Sequence, residues 1–163
     1  MTANGPKLVE SGARMDGLSV PSVNTACIGY GPLDLTADLY CDPAAYIAKT
    51  SKPYPLLKHA RTVYLTSYND GVVQGIPGEG LLQGLSSFFQ MRLRVKPGSL
   101  IKKTIDYFTA PGFLTLVHES ADQVEKDYHQ IREWEHTGEI FSLKLPLQGT
   151  GLGAREGEVE ARP

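Results

Sequence analysis

The sequence has no long hydrophobic stretch. Its longer apolar runs, such as Phe113 to Val117 with Thr115 inside it, are far shorter than the ~20 residues that a membrane-spanning helix needs. Residues 1–6 also lack the basic start and apolar core of a secretory signal. We therefore expect no membrane segment and a cytoplasmic location.

Excess charge of one sign is absent as well. The chain has 16 Lys and Arg against 18 Asp and Glu, for a net charge of -2, and its basic residues form no stripe that could neutralise a phosphate backbone. Nucleic acid is therefore not an expected partner. Hydrophobic residues make up 41% of the 163 positions, which is enough for one packed domain, or for a small domain with part of another.

Cysteine is scarce, and no metal signature is present. Cys27 and Cys41 lie in apolar surroundings at a spacing that fits no metal site, so we interpret both as small buried hydrophobes. A disulfide between them is geometrically possible but less expected in the cytoplasm. The four histidines form no zinc pattern, and neither a phosphate-binding loop nor a dinucleotide fingerprint occurs.

A patterned segment near the N-terminus is the first candidate site. Residues 7–15 alternate as a strand does, which places Glu10 and Arg14 on one face about 13 Å apart, with Gly12 between them. A carboxylate is a ligand that Mg²⁺ prefers, and arginine presents a planar fork of donors to phosphate. The alternative is a solvated strand face on which one acid and one base happen to recur.

The residues that follow predict short helices. Small residues from Ser22 to Tyr30 end at glycines, and Asp34 is a candidate cap for a helix that Asp42 and Pro43 break in two. The two prolines in Ser51 to Pro55 mark a boundary.

The second half reads mainly as strands. Arg61–Tyr68 and Val72–Ile76 flank Asn69-Asp70-Gly71 and predict a hairpin. A helical turn or two is expected over Gly78–Leu85. Alternation from Phe89 to Lys96 then predicts a half-buried strand.

The last elements are a strand, a long helix and a strand. Gly112–Glu119 is expected to be a strand, and Ser120 with Gln123 forms a capping box for a helix that Gly138 ends. Ile140–Leu145 can add a final strand. Residues 146–163 are rich in glycine and charge, so we expect a loose tail. The fold class predicted from this order is α+β, with a small, mainly antiparallel sheet and a packed C-terminal helix.

These motifs, in this order, resemble the C-terminal portion of the ATP-grasp carboxylate-amine ligase family. The strand from Lys7 to Gly17 resembles the metal-binding strand near the end of the ATP-grasp domain, with Gly12 where many members have asparagine. Val95-Lys-Pro-Gly98, Pro111 to His118 and Ser120 to Glu135 resemble the small subdomain that follows it. The resemblance covers residues 7 to about 144.

The resemblance implies roles for two residues and a division of the chain. Glu10 would be a magnesium ligand, and Arg14 would be both a catalytic residue and a contact to the phosphates of ATP or an acyl-phosphate. Residues 1–50 would be the remnant of the ATP-grasp catalytic lobe, 51–145 the small α+β subdomain and 146–163 the flexible tail. The complete enzyme would use ATP and Mg²⁺ to join a small carboxylate to an amine.

The sequence and the resemblance leave two alternative functions. The first is a C-terminal fragment of such a ligase that is inactive alone, because the adenine pocket and phosphate clamps of the family cannot be found in the sequence. The alternative is a stand-alone α+β binding or regulatory interaction module without catalysis. A fragment would leave an apolar patch around Val9, Ala13, Met15 and Leu35, which favours self-association.

Overall fold

A computed structural model describes Gly5, Lys7, Leu8, Ser11 and residues 20–144. The fold is α+β, as predicted. The helices are α1 (Pro21–Ile28), α2 (Pro32–Cys41), α3 (Pro43–Thr50), α4 (Gly78–Gln83) and α5 (Ala121–Thr137). The strands are β1 (His59–Tyr64), β2 (Gly71–Gly75), β3 (Phe88–Leu93), β4 (Leu100–Ile101), β5 (Gly112–His118) and β6 (Ser142–Lys144).

The chain divides into two compact units. Unit 1 contains residues 1–62, 86–89 and 115–128, and unit 2 contains residues 63–85, 90–114 and 129–163. The boundaries predicted after residues 50 and 145 remain predictions, and the predicted tail lies outside the described residues.

Proline begins each of the three N-terminal helices, where its fixed φ and missing N–H are harmless. Gly29 ends α1 in the left-handed conformation with φ 86°, which suits a residue without Cβ. Asp42 caps α3 by accepting from the Ala45 N–H at 3.1 Å. Asp34 helps to cap a helix, as expected, but from inside α2, where its carboxylate accepts from the Gly31 N–H at 2.7 Å.

The strands form two three-stranded sheets, in the orders β1-β5-β3 and β4-β2-β6. In the second sheet β2 is antiparallel to both neighbours, with Val72 opposite Leu100 and also opposite Lys144. The hairpin predicted between the first two strands is therefore wrong, since β1 and β2 lie in different sheets.

The loop between β1 and β2 is hydrogen-bonded to a distant part of the chain. The Ser67 N–H donates to Thr104 Oγ1 at 2.9 Å, and Asp70 Oδ1 accepts from the Lys103 N–H at 2.6 Å. The turn residues are thus held by a distant segment of the chain, and β2 takes other strand partners.

Each unit has its own core. The large buried apolar side chains of unit 2 are Val63, Leu65, Val73, Leu82, Ile101, Leu114, Ile131, Ile140 and Phe141. Among the described residues of unit 1, Leu116 and Val124 are the large apolar side chains that are fully buried. Over the described residues, unit 1 therefore has the smaller core.

The remaining expectations are mostly met. The helix at α5 and the strand at β5 are confirmed. The strand predicted over Phe89–Lys96 instead runs from Phe88 to Leu93. Its predicted alternation fails at the start, where Phe89 is 38% exposed and Gln90 half-buried, and holds from Met91 to Lys96. Both cysteines are free, but Cys41 is exposed, so the expectation that it is buried was wrong. Partial burial raises the pKa of the Cys27 thiol, although Lys58 opposes this. Within the described part of the chain, the helices are too short or too polar to cross a membrane.

Candidate functional site

Both residues of the predicted site, Glu10 and Arg14, lie outside the described residues, as does Gly12 between them. Their described neighbours Lys7, Leu8 and Ser11 are exposed. The roles of Glu10 and Arg14 therefore remain predictions. Three members of the predicted apolar patch, at positions 9, 13 and 15, also fall outside, while Leu35 is half-buried.

An ion pair with a buried carboxylate is the first polar cluster that the structure describes in unit 2. Glu135 Oε1 accepts from the Thr66 N–H at 2.8 Å, and its Oε2 accepts from Arg132 Nη1 at 2.5 Å. Arg132 also donates to Tyr64 O and Thr66 Oγ1, each at 3.1 Å. Burial raises the pKa of the Glu135 carboxyl, although Arg132 and the Thr66 N–H favour its charged form.

A cavity of about 220 Å³ lies beside this pair. Its lining consists of Thr66, Ser67, Tyr68, Asn69, Glu135, Gly138, Ile140, Phe141 and Leu143. The Glu135 side chain has no exposed surface, so its carboxylate cannot touch a ligand in the cavity. The pair therefore serves to fix the C-terminal half of α5 to the end of β1.

A second carboxylate is buried in unit 1. Asp127 Oδ2 accepts from the backbone N–H and hydroxyl of Ser87, at 2.8 and 2.6 Å. Its Oδ1 accepts from Gln123 Nε2 at 2.8 Å. Ser87 is fully buried and its hydroxyl donates to a carboxylate, so it does not have the access to substrate that a nucleophile requires. This cluster attaches the first half of α5 to the start of β3.

Sequence reasoning missed both buried acids, although a signal was present. Asp127 and Glu135 share the helical stripe of Val124 and Ile131, at spacings of three and four residues. An acid on the apolar stripe of a helix indicates a buried carboxylate with donors from a neighbouring element.

No described group could hold a metal ion on its own. Across residues 20–144 and the four described before them, no three His, Cys, Asp or Glu side chains are grouped suitably. His118 Nδ1 accepts from the Ser120 N–H at 3.0 Å, so this histidine supports the start of α5. The clusters described above are structural, and the predicted segment around Glu10 and Arg14 remains the candidate functional site.

Comparison with known proteins gives the fold its context. No protein-family profile matches the sequence. The fold resembles that of an L-amino acid ligase from Bacillus licheniformis, with a TM-score of 0.57 and 13% identity. It also resembles phosphoribosylglycinamide synthetase from Anaerococcus prevotii, with a TM-score of 0.50 and 14% identity. Each match covers 78% of this chain and 30% of the solved one.

A sequence relative agrees with the fold. Dapdiamide A synthase from Enterobacter agglomerans is 26% identical over 137 residues, which is 83% of this chain and 32% of that protein. The chain thus spans about a third of the length of the relative it matches. Together these likenesses confirm the predicted resemblance to ATP-grasp carboxylate-amine ligases over part of a member's length.

Proposed function

We propose that this chain is the C-terminal part of an ATP-dependent and Mg²⁺-dependent carboxylate-amine ligase that works through an acyl-phosphate. The observation that carries the proposal is the 26% identity to dapdiamide A synthase over 83% of the chain. The similarity of fold to an L-amino acid ligase supports it. ATP, a small carboxylate and an amine would be the ligands of the complete protein.

In this proposal the chain contributes two residues to the active site. Glu10 would hold Mg²⁺ through its carboxylate, a ligand type that this metal prefers, and the metal would neutralise charge on the phosphates. Arg14 donates to the transferring phosphate and stabilises the charge that develops there. The two buried acids are poorer candidates for these roles, because Asp127 and Glu135 are each only 5% exposed and their oxygens accept from protein donors.

The isolated chain is expected to be inactive. It spans about a third of dapdiamide A synthase, and positioning of ATP and substrates supplies most of the rate in phosphoryl transfer. A coupled assay of ADP formation with ATP, amino acids and Mg²⁺ measures this directly. Turnover that survives purification and is lost in Glu10→Ala would show that the short chain is itself an enzyme.

The roles of Glu10 and Arg14 are tested in the full-length ligase by two conservative substitutions. Glu10→Gln keeps the shape but removes the charge that holds the metal, so turnover should fall and higher Mg²⁺ should partly restore it. Arg14→Lys keeps the charge but loses the two-pronged geometry, so turnover should fall without a change in Mg²⁺ dependence.

The outcomes separate this proposal from its alternative. If both variants keep normal turnover and Mg²⁺ dependence but melt at a lower temperature, the two residues have only a structural role. If the full-length protein shows no ligase activity at all, the alternative of a binding or regulatory module is favoured.

A further inference from the structure

A short loop that follows β4 exposes two large apolar side chains. Ile105 is 81% exposed and Phe108 is 86% exposed, the highest value for a large hydrophobic residue in the described part of the chain. Side chains of this size gain free energy when they leave water. Two of them exposed in one loop therefore indicate a surface that another molecule covers.

Side chains of the loop itself hold its backbone in place. Thr109 Oγ1 accepts from the N–H groups of Ile105 and Asp106, at 2.9 and 3.0 Å. In return Asp106 Oδ1 accepts from the Thr109 N–H at 2.9 Å and from the Thr109 hydroxyl at 2.8 Å. These bonds, the backbone one first, lower the pKa of the Asp106 carboxyl. Ile105 and Phe108 thus project into water from a closed, hydrogen-bonded turn.

Ring contacts join Phe108 to a cation just after β3. The rings of Phe108 and Tyr107 meet edge to face, with centroids 5.5 Å apart. The Arg94 guanidinium lies 4.2 Å from the centroid of the Tyr107 ring, and Arg94 Nη1 donates to Tyr107 O at 2.6 Å. All of these residues belong to unit 2. We call Arg94, Ile105, Tyr107 and Phe108 the tip surface.

The chain around the tip surface is strongly basic. Residues 90–110 contain one acid, Asp106, and five basic residues, which are Arg92, Arg94, Lys96, Lys102 and Lys103. All five are exposed, and none forms an ion pair with a residue that the structure describes. The whole chain has a net charge of -2, so this positive charge is a local feature that needs a negative complement.

We propose that the tip surface docks an acidic polypeptide whose carboxylates surround apolar side chains. Ile105 and Phe108 pack against the apolar part, while Arg94, Lys102 and Lys103 face the carboxylates. Aromatic residues and arginine are the types that protein interfaces enrich most, and a turn that is already ordered loses little entropy on binding. This docking depends on no part of the proposed ligase activity.

Two other occupants match the charges less well. A second copy related by a two-fold axis would set the basic segment against itself, and like charges opposed across an interface are costly. An anionic membrane would attract the lysines. Insertion of both Ile105 and Phe108 into lipid would, however, draw the charged Asp106 that lies between them out of water. A polypeptide can cover the two side chains and leave Asp106 hydrated.

Fluorescence anisotropy with the whole chain and a labelled peptide tests the docking. The probe is a short synthetic peptide in which glutamates alternate with leucine and phenylalanine, and its control has glutamine in place of each glutamate. The acidic peptide should bind at least about tenfold more tightly at low salt. This advantage should shrink as the salt concentration rises, because the charges are exposed.

Phe108→Ser tests the apolar part of the surface. The variant should bind the acidic peptide at least about tenfold more weakly, because an aromatic side chain would no longer be buried. Its melting temperature should change little, since Phe108 is exposed in the free chain. Leu56→Ser is the matched control, because Leu56 is 60% exposed but lies in unit 1. This control should bind as the wild type does.

The charged part is tested by a double variant that combines Lys102→Gln and Lys103→Gln. Binding of the acidic peptide should weaken about fivefold at low salt and depend less on salt. Lys126→Gln is the control, because Lys126 is exposed on α5 and belongs to unit 1. It should change neither quantity.

Several results would overturn the proposal. These are equal binding of the glutamate and glutamine peptides, no binding of either, or unchanged binding by Phe108→Ser. Cosedimentation with vesicles of phosphatidylserine and phosphatidylcholine tests the membrane, and vesicle binding without peptide binding would identify an anionic membrane as the occupant. A dimer that Phe108→Ser abolishes, again without peptide binding, would identify a second copy.

Discussion

Glu135 illustrates what a buried carboxylate requires at the scale of one residue. Taking a charge out of water costs several kcal/mol, and this cost is offset only by close donors. Thr66 and Arg132 supply one donor to each oxygen. The pKa of Glu135 is nevertheless raised by burial, so the donors do not fully replace water. Glu135 therefore holds Thr66 and Arg132 in position more than it adds to the free energy of unfolding.

Glu135 should therefore make stability depend on pH in a defined direction. Its folded pKa exceeds its unfolded pKa, so the native state binds this proton more tightly. Stability contributed by Glu135 is then full below the ordinary carboxyl pKa of about 4.3 and declines as pH rises through the raised folded pKa. Urea denaturation at a series of pH values should show this decline in the wild type relative to Glu135→Gln, which carries no titratable group there.

Glu135→Ala should behave differently from Glu135→Gln. Alanine leaves the Thr66 N–H and the Arg132 guanidinium without their shared acceptor, so we expect a loss of about 2–4 kcal/mol near neutral pH. Glutamine keeps one acceptor and should cost less. A Glu135→Gln variant whose stability follows that of the wild type at every pH would mean that burial does not raise the pKa.

At the scale of elements, helix α4 begins where there is no room for a side chain. A Cβ on Gly78 would lie 2.5 Å from Ile140 Cα and 3.1 Å from the carbonyl oxygen of Glu139. Gly80, two residues later in the same helix, has nothing within 4 Å of its Cβ position. The two glycines therefore differ in packing while sharing one helix.

This contrast gives a matched pair of substitutions. Gly78→Ala should lower the free energy of unfolding by about 1–3 kcal/mol, because the backbone at Ile140 must shift. Gly80→Ala should leave stability unchanged or raise it by up to about 1 kcal/mol, since alanine favours the helix more. Chemical denaturation of both variants measures the difference. Equal effects would show that the close approach of α4 to Ile140 is not retained in solution.

Some elements could be predicted from the sequence because their signals are local. Ser120 marks the start of α5, where its Oγ accepts from the Gln123 N–H, and Gly138 follows the end. The second bond of the predicted capping box does not form, because the Gln123 side chain donates to Asp127 and the Ser120 N–H to His118. Alternation from Met91 onward indicates β3. The partner of β2 could not be predicted. Asn69-Asp70-Gly71 indicates a turn, but β2 pairs with β4 and β6, which are distant in sequence, while Thr104 and Lys103 contact the turn residues.

The sequence predicts the candidate site only from two signals, which are the alternation of residues along a strand and the resemblance to a known family. Alternation places Glu10 and Arg14 on one face, and the resemblance supplies their roles. The helical stripe could have indicated the burial of Asp127 and Glu135, but not their donors, which come from Ser87 and Thr66, far along the chain. No local rule pairs such residues.

At the scale of the whole molecule, the three N-terminal helices contribute little burial. None of their residues is fully buried, and among the described residues of unit 1 the buried large apolar side chains are Leu116 and Val124. Two backbone hydrogen bonds, from the Leu57 and Lys58 N–H groups to Cys27 O, join α1 to the segment before β1. Helices that bury so little add little to the free energy of folding.

A chain that begins at residue 56 should therefore still fold. Its loss of stability should stay under about 1 kcal/mol, which lowers the melting temperature by less than about 4–8 °C. Circular dichroism during heating measures this, with Val124→Ala in the full chain as a reference, because Val124 is buried and its truncation leaves a cavity. We expect the substitution of this one buried side chain to cost at least as much as removal of the three helices. If the shortened chain is unfolded while Val124→Ala folds, the N-terminal helices are essential to the fold and the boundary predicted after residue 50 is wrong.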